Sequence, residues 1–234
     1  MDLYKKKKAL SDKECGQHWI WASLDPESKL IINFFIGQRT LEDCKRFIEN
    51  LVKRIKTKPL FTSDELPHYE TALLEFFSHL EEQPKTGKRG RPKKPKIVVD
   101  PEFKYVTVHK TRENGKVVKV DRNIVFGDQN LIDHIIKNSK VSNTINTSFI
   151  ERVNLTLRNH NKKLVRKTLC FAKLKHALES QMNIIVTYYN FSKPHRSLTL
   201  KSVNNNPIMR TPAMFAGLME RIWPMREILS YPVC

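Results

Sequence analysis

Two carboxylates stand where they have chemical interest. Glu151 lies in NTSFIERVNLTLRNHNKKLVRK, residues 146–167, as the only acid among arginines, lysines and asparagines. Asp64 closes PLFTSD, residues 59–64, a short run that reads as a strand ending in an acid. A carboxylate inside a basic surface opposes the binding of a polyanion unless a cation sits on it. Clustered acids in a basic groove suit metal-assisted phosphodiester chemistry, where two Mg2+ ions ~4 Å apart activate the attacking oxygen and steady the leaving one. Magnesium takes hard oxygen ligands and keeps several waters, so a few acids suffice. Spacing alone leaves a second reading of each acid open. Glu151 also fits a first-turn acid favoured by the helix dipole, and Asp64, followed by Glu65, also fits a cap for the next helix.

The residues around Glu151 suit phosphate. On a helix, Glu151, Asn154, Arg158 and Asn161 fall along one polar face, while Val153, Leu157 and Leu164 point to the core. Arg152, Asn154, Arg158, Lys162, Lys163, Arg166 and Lys167, with Lys173 and Lys175 beyond, are placed to hold a DNA backbone rather than to read bases. The alternative is a solvated helix face. A second basic segment, QPKTGKRGRPKKPK at 83–96, has no apolar side chain to bury and reads as an extended linker. Within it Arg89, Gly90, Arg91 and Lys93 resemble an AT-hook core. Gly90 would let the backbone approach a narrow A·T minor groove while the two arginines enter its negative potential. A flexible linker that binds any phosphate is the other reading.

The whole composition agrees with a nucleic-acid partner. The 234 residues carry a formal charge of +18 and a pI near 9.8, an excess that repels itself unless a polyanion offsets it. No apolar run approaches the ~20 residues of a membrane span, and no apolar leader follows Met1. Cys15, Cys44, Cys170 and Cys234 are scattered, which argues against a zinc site and fits a reduced compartment. No RNA-reading motif is present.

These groups need elements to place them. HWIWASLDPESKLIINFFI, residues 18–36, reads as two strands joined through Asp25-Pro26, with Trp19 and Trp21 assigned to opposite faces. A helix follows Gly37, capped by Thr40 with Asp43 in the capping-box position. After the strand at 59–64, a helix from about Pro67 buries Tyr69, Leu73, Phe76, Phe77 and Leu80. KYVTVHK and KVVKV flank Glu113-Asn114-Gly115, a type I′ hairpin signal. Helices are expected over 129–138, through the Glu151 segment, and over 171–189, with a short one starting at Thr211-Pro212. This order of strands and helices predicts an α/β class, a mixed sheet with helices against it. The expected units are an N-terminal part of the core at 1–82, a basic linker and β-hairpin insertion at 83–128, and a C-terminal helical part with tail at 129–234.

Several stretches together resemble bacterial DDE transposases, nearest the insertion-sequence-one family: HWIWASLDPESKLIINFFIGQRT, FTSDELPHYETAL, KTRENGKVVKV, NTINTSFIERVNLTLRNHNKKLVRKTLCFAK, YYNFSKPHRSL and TPAMFAGLMERIW. The resemblance implies a ribonuclease H-like fold and Mg2+-dependent cutting and joining of DNA, with Mn2+ as an alternative ion. It assigns Asp64 and Glu151 as catalytic metal ligands; Glu65 stands where glycine is commoner. The family's first catalytic aspartate lies on a first strand just ahead of a lysine-rich stretch. Here that stretch begins at Leu3 and Asp2 is out of register, so the resemblance implies an N-terminally truncated core lacking its first acid. Tyr189, Asn190, Pro194 and His195 match the family's YNxxxPH loop, for which a structural role is expected. Implied partners are transposon-end and target DNA and a homo-oligomer or mixed oligomer with full-length transposase, in the bacterial cytoplasm at the nucleoid. The expected function is DNA strand cleavage and transfer, inactive in this chain. The alternative is a non-catalytic fragment that binds transposon ends or modulates the full-length enzyme.

Overall fold

The computed structural model describes residues 18–83, 94–165, 170, 172, 174–200 and 207–230. Strands β1 (Trp19–Leu24) and β2 (Ile31–Gly37) form an antiparallel pair. Their turn is built on Asp25, whose carboxylate accepts hydrogen bonds from the backbone N–H of Glu27 (3.1 Å) and Ser28 (3.0 Å). Helix α1 (Leu41–Val52) follows, with Thr40 Oγ1 accepting from Asp43 N and the Asp43 carboxylate accepting from Gln38 N at 2.6 Å. This is the expected N-terminal lock, with the acid reaching two residues further back than a capping box requires.

Helices cover both faces of the β1–β2 pair. On one face Trp21 and Phe35 pack with Phe47, Ile48 and Leu51 of α1 and with Leu73 of α2 (Pro67–Phe76). On the other, Ile31 and Ile36 meet Val153 and Leu157 of α4 (Ser148–His160) and Leu178 and Met182 of α5 (Lys175–Thr187). Side chains alternate across a strand, so a pair buried on both faces must be apolar in nearly every position, as IINFFI is. The same alternation corrects the placing of the two tryptophans. Residues two apart share a face, and Trp19 meets Trp21 edge-on at 6.3 Å, with Trp21 buried and Trp19 at the margin under Arg39.

A second sheet holds β3 (Leu60–Ser63), β6 (Lys104–Glu113) and β7 (Lys116–Phe126), in the order β3-β6-β7. β3 and β6 are parallel, β6 and β7 antiparallel, so the sheet is mixed. Asn114 and Gly115 both have positive φ (49° and 79°), as a two-residue type I′ hairpin loop requires. The hairpin is more than an insertion, because its base lies in the core: Phe103, Tyr105 and Val106 are buried, and Phe103 stacks on Phe77 at 4.8 Å.

Helix α2 ends sooner than its apolar spacing predicts. Leu80 falls in β4 (Ser78–Glu81), which pairs with β5 (Lys96–Val99), and both Leu80 and Phe76 are exposed. The described residues therefore form three small sheets, where the order of elements predicts one mixed sheet. Helix α3 (Gln129–Lys137) starts at Asp128, whose side chain accepts from Leu131 N. Short helices α6 (Pro212–Phe215) and α7 (Met225–Ser230) close the described chain.

The loop after α5 has the structural role expected of it. A π-helical turn, Tyr188–Ser192, buries Asn190, whose amide accepts from Ile31 N (3.0 Å) and donates to Ile31 O (2.9 Å). The side chain thus stands in for a strand partner at the start of β2. Tyr189 meets His195 edge-on at 4.6 Å, and burial pulls the His195 pKa down to about 4. Asn190→Ala would strand the buried N–H and C=O of Ile31, so we predict a loss of about 2–3 kcal/mol in urea unfolding. A loss below ~0.5 kcal/mol would show that this bridge does not hold the loop to β2.

Candidate active site

Asp64 comes directly after the last residue of β3, and Glu151 lies in the first turn of α4. The fold brings both to one cavity of about 680 Å³. Its sides are β1 and β3. Its apolar wall comes from Phe47, Ile48 and Leu51 of α1, and opposite stand Thr147, Ile150 and Asn154 beside Glu151.

Glu151 does not stand alone. Lys110 Nζ, from β6, donates to its Oε1 at 2.6 Å, and Thr147 Oγ1 donates to the same oxygen at 2.8 Å. Burial works to raise the Glu151 pKa, but these two hydrogen bonds and the charges of Lys110 and Arg112 outweigh it, and the carboxyl is held below its usual range. The next acid pair is Glu65 with His109 at 2.6 Å. His109 and Lys110 are neighbours on β6, so alternation sends them to opposite faces of the strand, one to each acid. Asp64 has no ion pair or side-chain hydrogen bond among the described residues. Beneath it Ser63 Oγ donates to Asp64 O (2.6 Å) and meets the buried Tyr105 hydroxyl at 2.7 Å.

Asp64 and Glu151 offer hard oxygens from one cavity, the donor type that magnesium takes. Yet among the described residues no group of three or more His, Cys, Asp or Glu is placed to hold a metal. Of the two acids, Glu151 already carries an ammonium.

The basic residues divide into three groups. Arg152 and Lys162 are exposed, while Asn154, Arg158 and Lys163 are half-buried, with Asn154 on the cavity wall. Asn161 leaves the polar face to which spacing assigns it. The helix stops at His160, and Asn161 is buried at its end, accepting from Lys163 N at 3.0 Å. Arg89, Gly90, Arg91 and Lys93 of the AT-hook-like core lie outside the described residues, as do Arg166 and Lys167. Sequence reasoning misses Lys110 and Thr147 as partners of Glu151. Thr147 stands four residues before it, a spacing that can be read; Lys110 is 41 residues away and leaves no local signal.

Comparison with known proteins finds one family match, over part of the chain. Residues 120–193 match the family model for a DDE transposase, described as IS1 transposase. The match runs from β7 through α3, α4 and α5 into the Tyr188–Ser192 turn. It takes in Glu151 and leaves Asp64 outside. This segment supports assignment to the insertion-sequence-one transposases, the family that the motifs resemble. No curated protein matches the chain, and no solved structure does. Among the described residues no helix is long and apolar enough to cross a membrane.

The Lys110 contact is open to direct measurement. The Glu151 pKa is lowered from an ordinary 4.5, so its contribution to stability is fully present above that value and fades as pH falls through the lower folded value. Lys110→Met should move the Glu151 carboxyl titration upward in an NMR pH series. An unchanged or lower midpoint would show that Lys110 does not govern this acid.

Proposed function

We propose that the chain is a DNA transposase polypeptide of the insertion-sequence-one kind, its α/β core a ribonuclease H-like domain. The observation that carries this reading is the family match across the helix bearing Glu151, an acid that shares a cavity with Asp64. The reaction class is cleavage and transfer of DNA strands. Asp64 and Glu151 are the candidate catalytic residues and the candidate ligands for Mg2+ or Mn2+. Arg152, Asn154, Arg158, Lys162 and Lys163 would hold the sugar-phosphate backbone beside them, with Arg166 and Lys167 continuing the same basic run. The segment carrying Arg89, Gly90, Arg91 and Lys93 would add a minor-groove contact. DNA ends and target are the partners, and an assembly of several copies, or one mixed with full-length transposase, is the working form at the nucleoid.

The ammonium on Glu151 favours a second statement. This polypeptide alone binds DNA and does not transfer strands. It would act as an end-binding fragment, or as a modulator of the complete enzyme.

Two measurements check these statements. The purified chain with Mg2+ should give no strand transfer above that of Glu151→Gln; clear activity abolished by Glu151→Gln would overturn the second statement. In DNA binding, log K against log salt should fall steeply. The double variant Arg152→Ala, Arg158→Ala should flatten that slope by about 2, since each phosphate left without its arginine removes about 0.9. An unaltered slope would remove α4 from the DNA interface.

A further inference from the structure

We infer that the flank of α4 turned away from the cavity carries a second phosphate-binding row, in which Lys29, Arg152 and Lys193 hold a DNA backbone. At helical spacing Phe149, Arg152, Thr156 and His160 share one side of α4, while Glu151, Asn154 and Arg158 share the opposite one. Glu151 and Asn154 line the cavity, and none of the first four does. Two lysines from other elements frame this outer side. Lys29, on the β1–β2 turn, sits over the Phe149 ring at 4.2 Å and donates to Pro26 O. Lys193, directly after the π-helical turn, lies 3.2 Å from His160 Nε2. His160 Nδ1 faces Thr156 O at 2.8 Å, so the ring proton sits on Nδ1 and Nε2 accepts from the ammonium. Burial lowers the Lys29 pKa, Asp25 opposes that, and the charge of Arg152 adds to it, so Arg152 stands within electrostatic reach of Lys29.

What sets these cations apart is how they are held. Lys45, Lys53, Lys58, Lys110 and Lys119 each meet a carboxylate. Lys29, Arg152 and Lys193 have no ion pair among the described residues, and Asp25, whose charge reaches Lys29, accepts from the N–H groups of Glu27 and Ser28. A carbonyl, a ring face and an imidazole fix the two ammonium groups without neutralising them. Each lysine has three N–H donors and one is used here, so two remain for an anion. Lys29 also has a positive φ (62°), which costs a residue with a Cβ steric strain that glycine would avoid. The row selects its ligand by length. From Phe149 to His160 the helix rises about 16 Å, over which one DNA strand presents about five phosphates. A free phosphate would meet only one end of the row. An acidic peptide would need places for its side chains, and these cations line neither the cavity at Asp64 nor the one beside Ile132 of α3. The inference rests on the DNA-binding reading above and adds Lys29 and Lys193 to it, with phosphate contacts on both flanks of α4.

The test follows binding of a short mixed-sequence duplex to the full chain, as log K against log salt. The double variant Lys29→Gln, Lys193→Gln should flatten the slope by about 2 and weaken binding about tenfold or more near ~0.1 M salt. Lys29→Arg, Lys193→Arg keeps both charges and should leave the slope as it is. So should Lys53→Gln on α1, whose lysine is paired with Glu49. Urea midpoints shared with the unvaried chain report that the fold is intact. If the glutamine variant does not fold, the unvaried chain decides. Its amide signals at Phe149, Arg152, His160 and Lys193 should shift with the duplex, and far less with inorganic phosphate or poly-glutamate at equal anion concentration. An unaltered slope in the folded glutamine variant would overturn the inference. Signals that stay in place with DNA, or move equally with inorganic phosphate or poly-glutamate, would overturn it too. DNA binding itself fails separately: a steep slope that Arg158→Ala flattens upholds it whether or not Lys29 and Lys193 take part.

Discussion

Backbone hydrogen bonding is the constraint on which the rest depends. A strand satisfies its N–H and C=O groups only through neighbours, and among the described residues β1 pairs with β2 and β3 with β6, while residues of both line one cavity. Apolar packing keeps the two sheets in place. Trp21 and Phe35 press on α1 from one sheet, Phe61 and Phe103 pack with Phe77 from the other, and the two sets join in one hydrophobic cluster. The two acids stand at the walls of the cavity that both sheets line.

Electrostatics decides what those acids can do. The chain carries a formal charge of +18, so any carboxylate near α4 has cations to choose from. Glu151 takes Lys110, whose side chain is 18% exposed against 49% for the acid, so the ammonium is the more sheltered partner. Desolvation of a lysine is offset by such a contact, and the pair resists casual exchange with solvent ions better than a surface pair does. Asp64 remains exposed beside it, with no partner of its own among the described residues. The site is thus half neutralised and half open.

Much of this is readable from local sequence, because local rules govern the elements involved. Thr40 and Asp43 announce α1, Asn114-Gly115 announces the hairpin, and Asp25 announces its turn. Each works through hydrogen bonds within a few residues. Local rules fail where partners are distant. Leu80 continues an apolar helical spacing but pairs in β4 with a strand more than ten residues on. The hairpin looks separable because nothing in KYVTVHK says that its base lies against β3. Asn161 fits a helical face by arithmetic, while the helix ends one residue before it. For the site, residue types point to Asp64 and Glu151, and the fold places both on one cavity. Lys110 is invisible, because a strand lysine carries no mark of the acid it meets across 41 residues.

The central claim is that Asp64 and Glu151 act on one and the same cation-accessible cavity. Adding Mn2+ to the full chain and following paramagnetic broadening of backbone amide signals tests it most directly. Signals of Asp64 and Glu151 should broaden together, at the same millimolar concentrations, with weak affinity befitting two carboxylates. Broadening of one without the other, or at clearly different concentrations, would contradict the account.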